Sequence, residues 1–276
     1  MTRHLLVIYA LALSSVTRVA YAQQPSTVDS PRAVTLSYAQ FGANCPAMAV
    51  TKWILATYGV NSEGVFSSQT DTKTGITTVS LPSNKFVTVT SAELAIATRH
   101  SDFNPQDLDD VSNPPDAHTR KTMLDKANLL YAVLGIRKAG AYDGTTLQNA
   151  PFEHAIKKSL DGGGEVDTLF ELLGYTWDDT ENFPANNSVS VFGNVSDDGS
   201  TAHVVFGFVE DGQDRYDEHG SDVRLMVQDF AHQYGGGKVW RYRLETTGPG
   251  VPDASNLKVA RQCMANPSGG QWHACA

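Results

Sequence analysis

The sequence predicts an α+β protein, with a mostly helical first half and an antiparallel β second half. Three observations carry this. Apolar residues in the first half fall in helix-length runs that stop at glycine. From Ser188 onward the runs become short, alternating and rich in valine and phenylalanine, with Gly/Asp turn chemistry between them. The chain has 276 residues, 41% of them hydrophobic, enough for a core in one large domain or two subdomains. Segregation of helices from strands is the pattern of an α+β fold with two lobes.

The elements follow in order. "MTRHLLVIYALALSSVTRVAYA" has a positive start at Arg3, an apolar run from Leu5 to Leu13 and a small-x-small site at Ala20-Tyr21-Ala22. It reads as a secretory signal peptide over residues 1–22, too short in its apolar run to span a bilayer. The expected destination is the exterior or the periplasm. Residues 23–33 form a polar leader. "AMAVTKWILATY" is the next helix, with Asn44 as its cap, Pro46 in its first turn and Gly59 as its stop. Only Thr51, Lys52 and Thr57 are polar in it, so it must be buried centrally. "GITTVSLP" and "KFVTVT" read as strands. "SAELAIATR" is a helix capped by Ser91. Residues 100–120, polar and with three prolines, read as a surface loop. "RKTMLDKANLLYAVLG" is a helix ending at Gly135, "PFEHAIKKSL" another opening on Pro151, and "VDTLFELLG" a short third. "SVSVFGNV", "AHVVFGFVE", "VRLMVQDF" and "KVWRYRLE" are the four strands of the β half. The expected division is a helical lobe over 34–140, a β lobe over 141–246 and a tail over 247–276.

Charge narrows the partners. Without residues 1–22 the chain loses Arg3 and Arg18 and no acid, which leaves 19 basic against 30 acidic residues, a net −11. No basic run remains, so neither nucleic acid nor an anionic membrane is an expected partner. His-Glu-x-x-His, Gly-x-Ser-x-Gly and phosphate-loop motifs are all missing from the sequence. The acidic turn "EDGQDRYDEHGSD" is a weak candidate for Ca²⁺ through Asp211, Asp214 and Asp217, without the spacing of a calcium loop. No cofactor is required by the rest of the reading. Asn186 and Asn194 begin glycosylation sequons, relevant only in a eukaryotic host.

The cysteines carry the chemistry. There are three, at 45, 263 and 275. Exported chains pair their cysteines, and Cys263 and Cys275 lie 12 residues apart in a loop-like tail. Cys45 is then the odd one, either a buried structural thiol or a reactive one. Its place in the first turn of a helix argues for reactivity, since N–H groups and the positive dipole end favour a thiolate there. A nucleophilic thiolate needs a histidine base, and the base needs an orienting group. His203 opens the apolar strand "HVVFGF", a rigid seat for a base. Asp229, at the far end of the next expected strand, would lie beside it in an antiparallel pair. Gln40, just before the cysteine loop, could join the Cys45 N–H in an oxyanion hole.

Cys before His before a carboxylate or amide is the papain-type order, here with 158 residues between Cys45 and His203. Three segments resemble the calpain-type branch of the papain-like cysteine peptidases. They are "QFGANCPAMAVTKWILATYG", "APFEHAIKKSLDGGGEVDTLFELLG", and "TAHVVFGFVEDG" followed by "VRLMVQDF". Pro46 follows the cysteine where calpains carry Trp, and Gln228-Asp229-Phe230-Ala231 stands where they carry Asn-Pro-Trp-Gly. The resemblance implies a papain-like two-lobed fold and cleavage of protein or peptide substrates. It assigns Cys45 as nucleophile, His203 as base, Asp229 in place of the family's Asn, and Gln40 as the oxyanion-hole amide. Two alternatives stand beside it: transglutaminase or deamidase acyl transfer on the same residues, and a non-catalytic binding or effector protein on a peptidase-like scaffold.

Overall fold

In the computed structural model the described residues are 30–40, 44–62, 64–109, 111, 113–143, 152–154, 156–157, 160, 165–180, 189–196, 202–210, 212–217, 225–226, 230, 237–245, 257–264 and 272–275. The chain is mixed α and β, with several sheets. The helices are α1 (Pro31–Ser37), α2 (Cys45–Tyr58), α3 (Ser91–Ser101), α4 (Ala117–Asp143) and α5 (Val166–Leu173). In the first half, β1 (Tyr38–Gln40) pairs with β5 (Phe103–Pro105). A second small sheet joins β2 (Ser68–Thr70), β3 (Thr77–Leu81) and β4 (Lys85–Val89). The main sheet holds β6 (Thr176–Asp179), β7 (Val189–Val195), β8 (Ala202–Glu210), β9 (Gln213–Tyr216), β10 (Leu225–Met226), β11 (Lys238–Glu245) and β12 (Lys258–Met264). Its order is β10-β9-β8-β7-β11-β12-β6. Every pairing in it is antiparallel except that of β12 with β6.

Helix α2 is the axis of the molecule, as its apolar composition requires. All its residues but Cys45 and Thr57 are buried. It lies between the inner face of the main sheet, along β7 and β8, and the helices α4 and α5. Trp53 anchors it, with Phe170 at 5.0 Å and Tyr175 at 5.6 Å, both edge-on. Gly59 stops it with φ 76°, its N–H donating to the Leu55 carbonyl at 2.8 Å. Asn44 is the cap residue, but its side chain makes no capping bond. Its Nδ2 donates instead to the carbonyl of Ser101 at the end of α3, which pins the start of α2 from outside.

Lys52 is fully buried halfway along α2. It forms an ion pair with Asp217, also fully buried, donates to the Thr35 carbonyl at 3.3 Å, and lies 4.9 Å above the Tyr38 ring. The Asp217 N–H donates to the Phe206 carbonyl of β8 at 2.8 Å, so the pair ties helix to sheet. Burial pulls Lys52 below the ordinary lysine range, and the Asp217 charge opposes it.

The structure revises several sequence expectations. Thr90 rather than Ser91 caps α3, in a capping box with Glu93. The stretch from 100 to 120 is not all loop: β5 and the start of α4 lie within it. Helix α4 runs through Gly135, because that glycine serves close packing. A Cβ there would stand 2.9 Å from both Phe152 and Ile156. The strands hidden from the sequence include β6 directly after α5, β9 in the turn-like acidic segment and β12 in the segment set aside as a tail. Consequently β8 is flanked by β7 and β9, and β10 pairs with β9 instead. Asn194 is 1% exposed within β7, so its sequon is not presented to solvent; Asn186 lies outside the described residues.

Two measurements check this account. Lys52→Met alone should cost about 3–5 kcal/mol in urea unfolding, because Asp217 stays buried without its cation, and Lys52→Met/Asp217→Leu should recover most of that. Lys126, buried and bonded to the Phe66 carbonyl at 2.6 Å, is pushed down to about 8 by desolvation. The unfolded chain keeps this proton up to about pH 10.4 while the native state has released it, so stability rises with pH across that window. Measured against Lys126→Met, the native protein should gain on the order of 3 kcal/mol between about pH 8 and 10.4.

Candidate functional site

Cys45 is the first residue of α2, half-buried and outside any disulfide. It opens on a cavity of about 530 Å³ between the start of α2, the start of α5 and the inner face of the main sheet. The sheet contributes Val195 from β7, Ala202 and Val204 from β8, Lys238, Trp240 and Tyr242 from β11, and Arg261 and Cys263 from β12. Glu165, Val166 and Asp167 close the α5 side, and Cys275 lines the cavity from the tail. The even-numbered residues of β11 face this space because side chains alternate along a strand.

Trp240 forms a wall because β7 has no side chain at Gly193. The two residues are cross-strand partners, and a Cβ on Gly193 would stand 2.2 Å from the indole nitrogen. The charged part of the wall is a network. Arg261 donates to Asp167 at 3.0 Å and to Asp179 at 2.7 Å, and its guanidinium lies 4.3 Å above the Trp177 ring. Burial raises the Asp167 carboxyl, opposed by hydrogen bonding from Tyr242 and by the Arg261 charge. Cys263 and Cys275 are at disulfide distance, with Cα atoms 5.0 Å apart, as their spacing suggested.

The predicted site residues fare differently. Cys45 stands at the helix start, in the cavity. His203 is the second residue of β8, between Ala202 and Val204, which both line that cavity. Strand alternation sends His203 itself to the other face of the sheet. There its ring lies 5.9 Å from Phe230, among Phe192, Val205 and Tyr216, and its cross-strand partner is Asn194. Among the described residues no histidine lines the cavity. Asp229 lies outside the described residues; its neighbour Phe230 is brought against His203, though not by β8–β10 pairing. Gln40 ends β1, its backbone opposite Phe103; its side chain lies outside the described residues.

The calcium candidates do not converge. Asp214 faces outward, paired with Arg241 at 2.8 Å and Arg243 at 2.6 Å, while Asp217 faces inward to Lys52; Asp211 is outside the described residues. Among the described residues no group of three or more metal-ligating side chains forms. Sequence reasoning missed the Asp167–Arg261 network and the placing of Cys263 and Cys275 on the same cavity as Cys45. Both depend on β12, and a strand read as tail gives no register from which to place them. No family model, curated protein or solved structure matches this chain.

Gly193→Ala should displace the Trp240 indole and cost about 1–3 kcal/mol, as overpacking does. Tryptophan fluorescence and urea unfolding would read both effects, and an unchanged emission spectrum would contradict the packing described.

Proposed function

We propose that this protein is an exported cysteine-type hydrolase of peptide bonds, with Cys45 as nucleophile and a papain-like arrangement of central helix and sheet. One observation carries the reading: the thiol outside the disulfide sits at the first turn of the buried axial helix and faces the 530 Å³ cavity. The cavity wall carries charges of both signs, Lys238 and Arg261 with Glu165 and Asp167, able to hold the polar backbone of a peptide. The apolar faces of Val195, Val204 and Trp240 suit a substrate side chain.

In this chemistry the Cys45 thiolate adds to the peptide carbonyl, and the tetrahedral oxyanion collapses as the amine departs with a proton from the base. Water then hydrolyses the thioester and releases the carboxylate. The base assigned by sequence is His203. It serves only if its imidazole turns round the β8 end to the side on which Ala202 and Val204 already stand. That geometry makes the role of His203 sharply testable.

A second reading is favoured by the same strand alternation. With the His203 ring on the outer face, the scaffold would be a non-catalytic binding protein whose cavity holds a ligand beside Cys45.

The deciding experiment assays casein and peptide cleavage by the native protein and by Cys45→Ala and His203→Ala. The hydrolase reading expects Cys45→Ala to lose activity by about 10³-fold or more. It expects His203→Ala to lose about 10²- to 10⁴-fold, with loss of the base's limb in the pH–rate profile. Cleavage unchanged in Cys45→Ala would sink the assignment. Incorporation of a labelled amine into casein without cleavage would assign acyl transfer instead.

A further inference from the structure

All three cysteines of the chain line one cavity. Cys45 comes from the start of α2, Cys263 from β12, and Cys275 from the stretch beyond it, and each lines the same 530 Å³ space. A thiol and a disulfide on one cavity of one chain can react without a bimolecular encounter. Lys238 and Arg261 line the same space, and so do Glu165 and Asp167.

We infer that this cavity is an internal thiol–disulfide exchange site, in which Cys45 and the Cys263–Cys275 disulfide interconvert with a Cys45–Cys275 disulfide and a Cys263 thiolate. The Cys45 thiolate attacks Sγ of Cys275. The Cys45–Cys275 bond forms as the Cys275–Cys263 bond breaks, and the electron pair leaves on Cys263 Sγ. One thiolate is consumed and one is produced, so the step needs neither oxidant nor reductant.

The position of the two disulfide sulfurs decides which is attacked. Cys263 is fixed within β12, opposite Trp240 on one side and bridged to His273 on the other, and is 2% exposed. Cys275 lies beyond that bridge and outside any strand, and is the sulfur that can change partners without moving a strand. The exchange removes the Cys45 thiol from the cavity and restores it by the same path in reverse. It therefore acts as a reversible cap on any chemistry at Cys45. The inference does not rest on peptide hydrolysis, and its test reads sulfur connectivity rather than activity.

The test incubates the full-length, non-reduced protein at rising pH, quenches it with acid, labels thiols with N-ethylmaleimide in denaturant, and maps labels and disulfides by mass spectrometry. The expected result divides the label between Cys45 and Cys263 and yields a Cys45–Cys275 peptide pair. Its rate of appearance should rise about tenfold per pH unit below the pKa of the attacking thiol. In Cys263→Ser, given oxidised glutathione as the oxidant, the Cys45–Cys275 bond should form within one chain. Label on Cys45 alone at every pH and time would overturn the inference. So would Cys263 label that persists in Cys45→Ser, since the disulfide would then be opening without Cys45.

Discussion

The Lys52–Asp217 pair decides how α2 sits on the sheet, and the rest of the molecule is arranged about that seat. An apolar helix buried on every side can slide or rotate among nearly equivalent packings, because its faces differ little. One charge in the middle of it, matched to one carboxylate at the end of β9, removes that freedom: any other register leaves two ions buried apart. Seven residues separate Lys52 from Cys45, which is about 10 Å of helix. The bond from Asn44 to the Ser101 carbonyl fixes the same helix at its start. The height at which the Cys45 sulfur meets the cavity is therefore set at two points along α2, and neither involves the cysteine.

The sheet imposes a second rule on the site, the two-residue period of its strands. Inner positions of β7, β8, β11 and β12 meet α2 or the cavity, and outer positions build a separate layer. That outer layer has its own logic. Arg241 and Arg243 share Asp214, Arg241 also bonds Gln262, and Trp272 stacks 4.1 Å from the Arg241 guanidinium. His203 belongs by parity to this layer, although its strand neighbours belong to the cavity. The site is thus built from an inner face whose polar groups are Asp167, Arg261, Lys238 and the sulfurs, with the imidazole one residue out of phase.

Much of the fold was legible in the sequence, and the reasons are local. Helix α2 announced itself by composition, cap residue and closing glycine, and the strands β3, β4, β7, β8 and β11 by their alternation. The pairing of Cys263 with Cys275 followed from a count of three. What escaped was whatever depended on long-range register. β12, "KVARQCM", carries three polar residues, Lys258, Arg261 and Gln262, so it looked like tail. Gly135 looked like a helix stop because a glycine chosen for close packing has the same letter as one chosen for a turn. The place of Cys45 at the start of a buried helix was recoverable from sequence. The face on which His203 lies was not, because it depends on a strand register that only the partner strands define.

The last strand has a consequence for how the molecule is made. β12 lies between β11 and β6, so the sheet stays divided until residue 264 is available to join its two parts. Contacts so distant along the chain form late and slowly. During synthesis β6 has no partner in this sheet until β12 has been made. The edge strand β6 is therefore made long before the strand that holds it in the sheet.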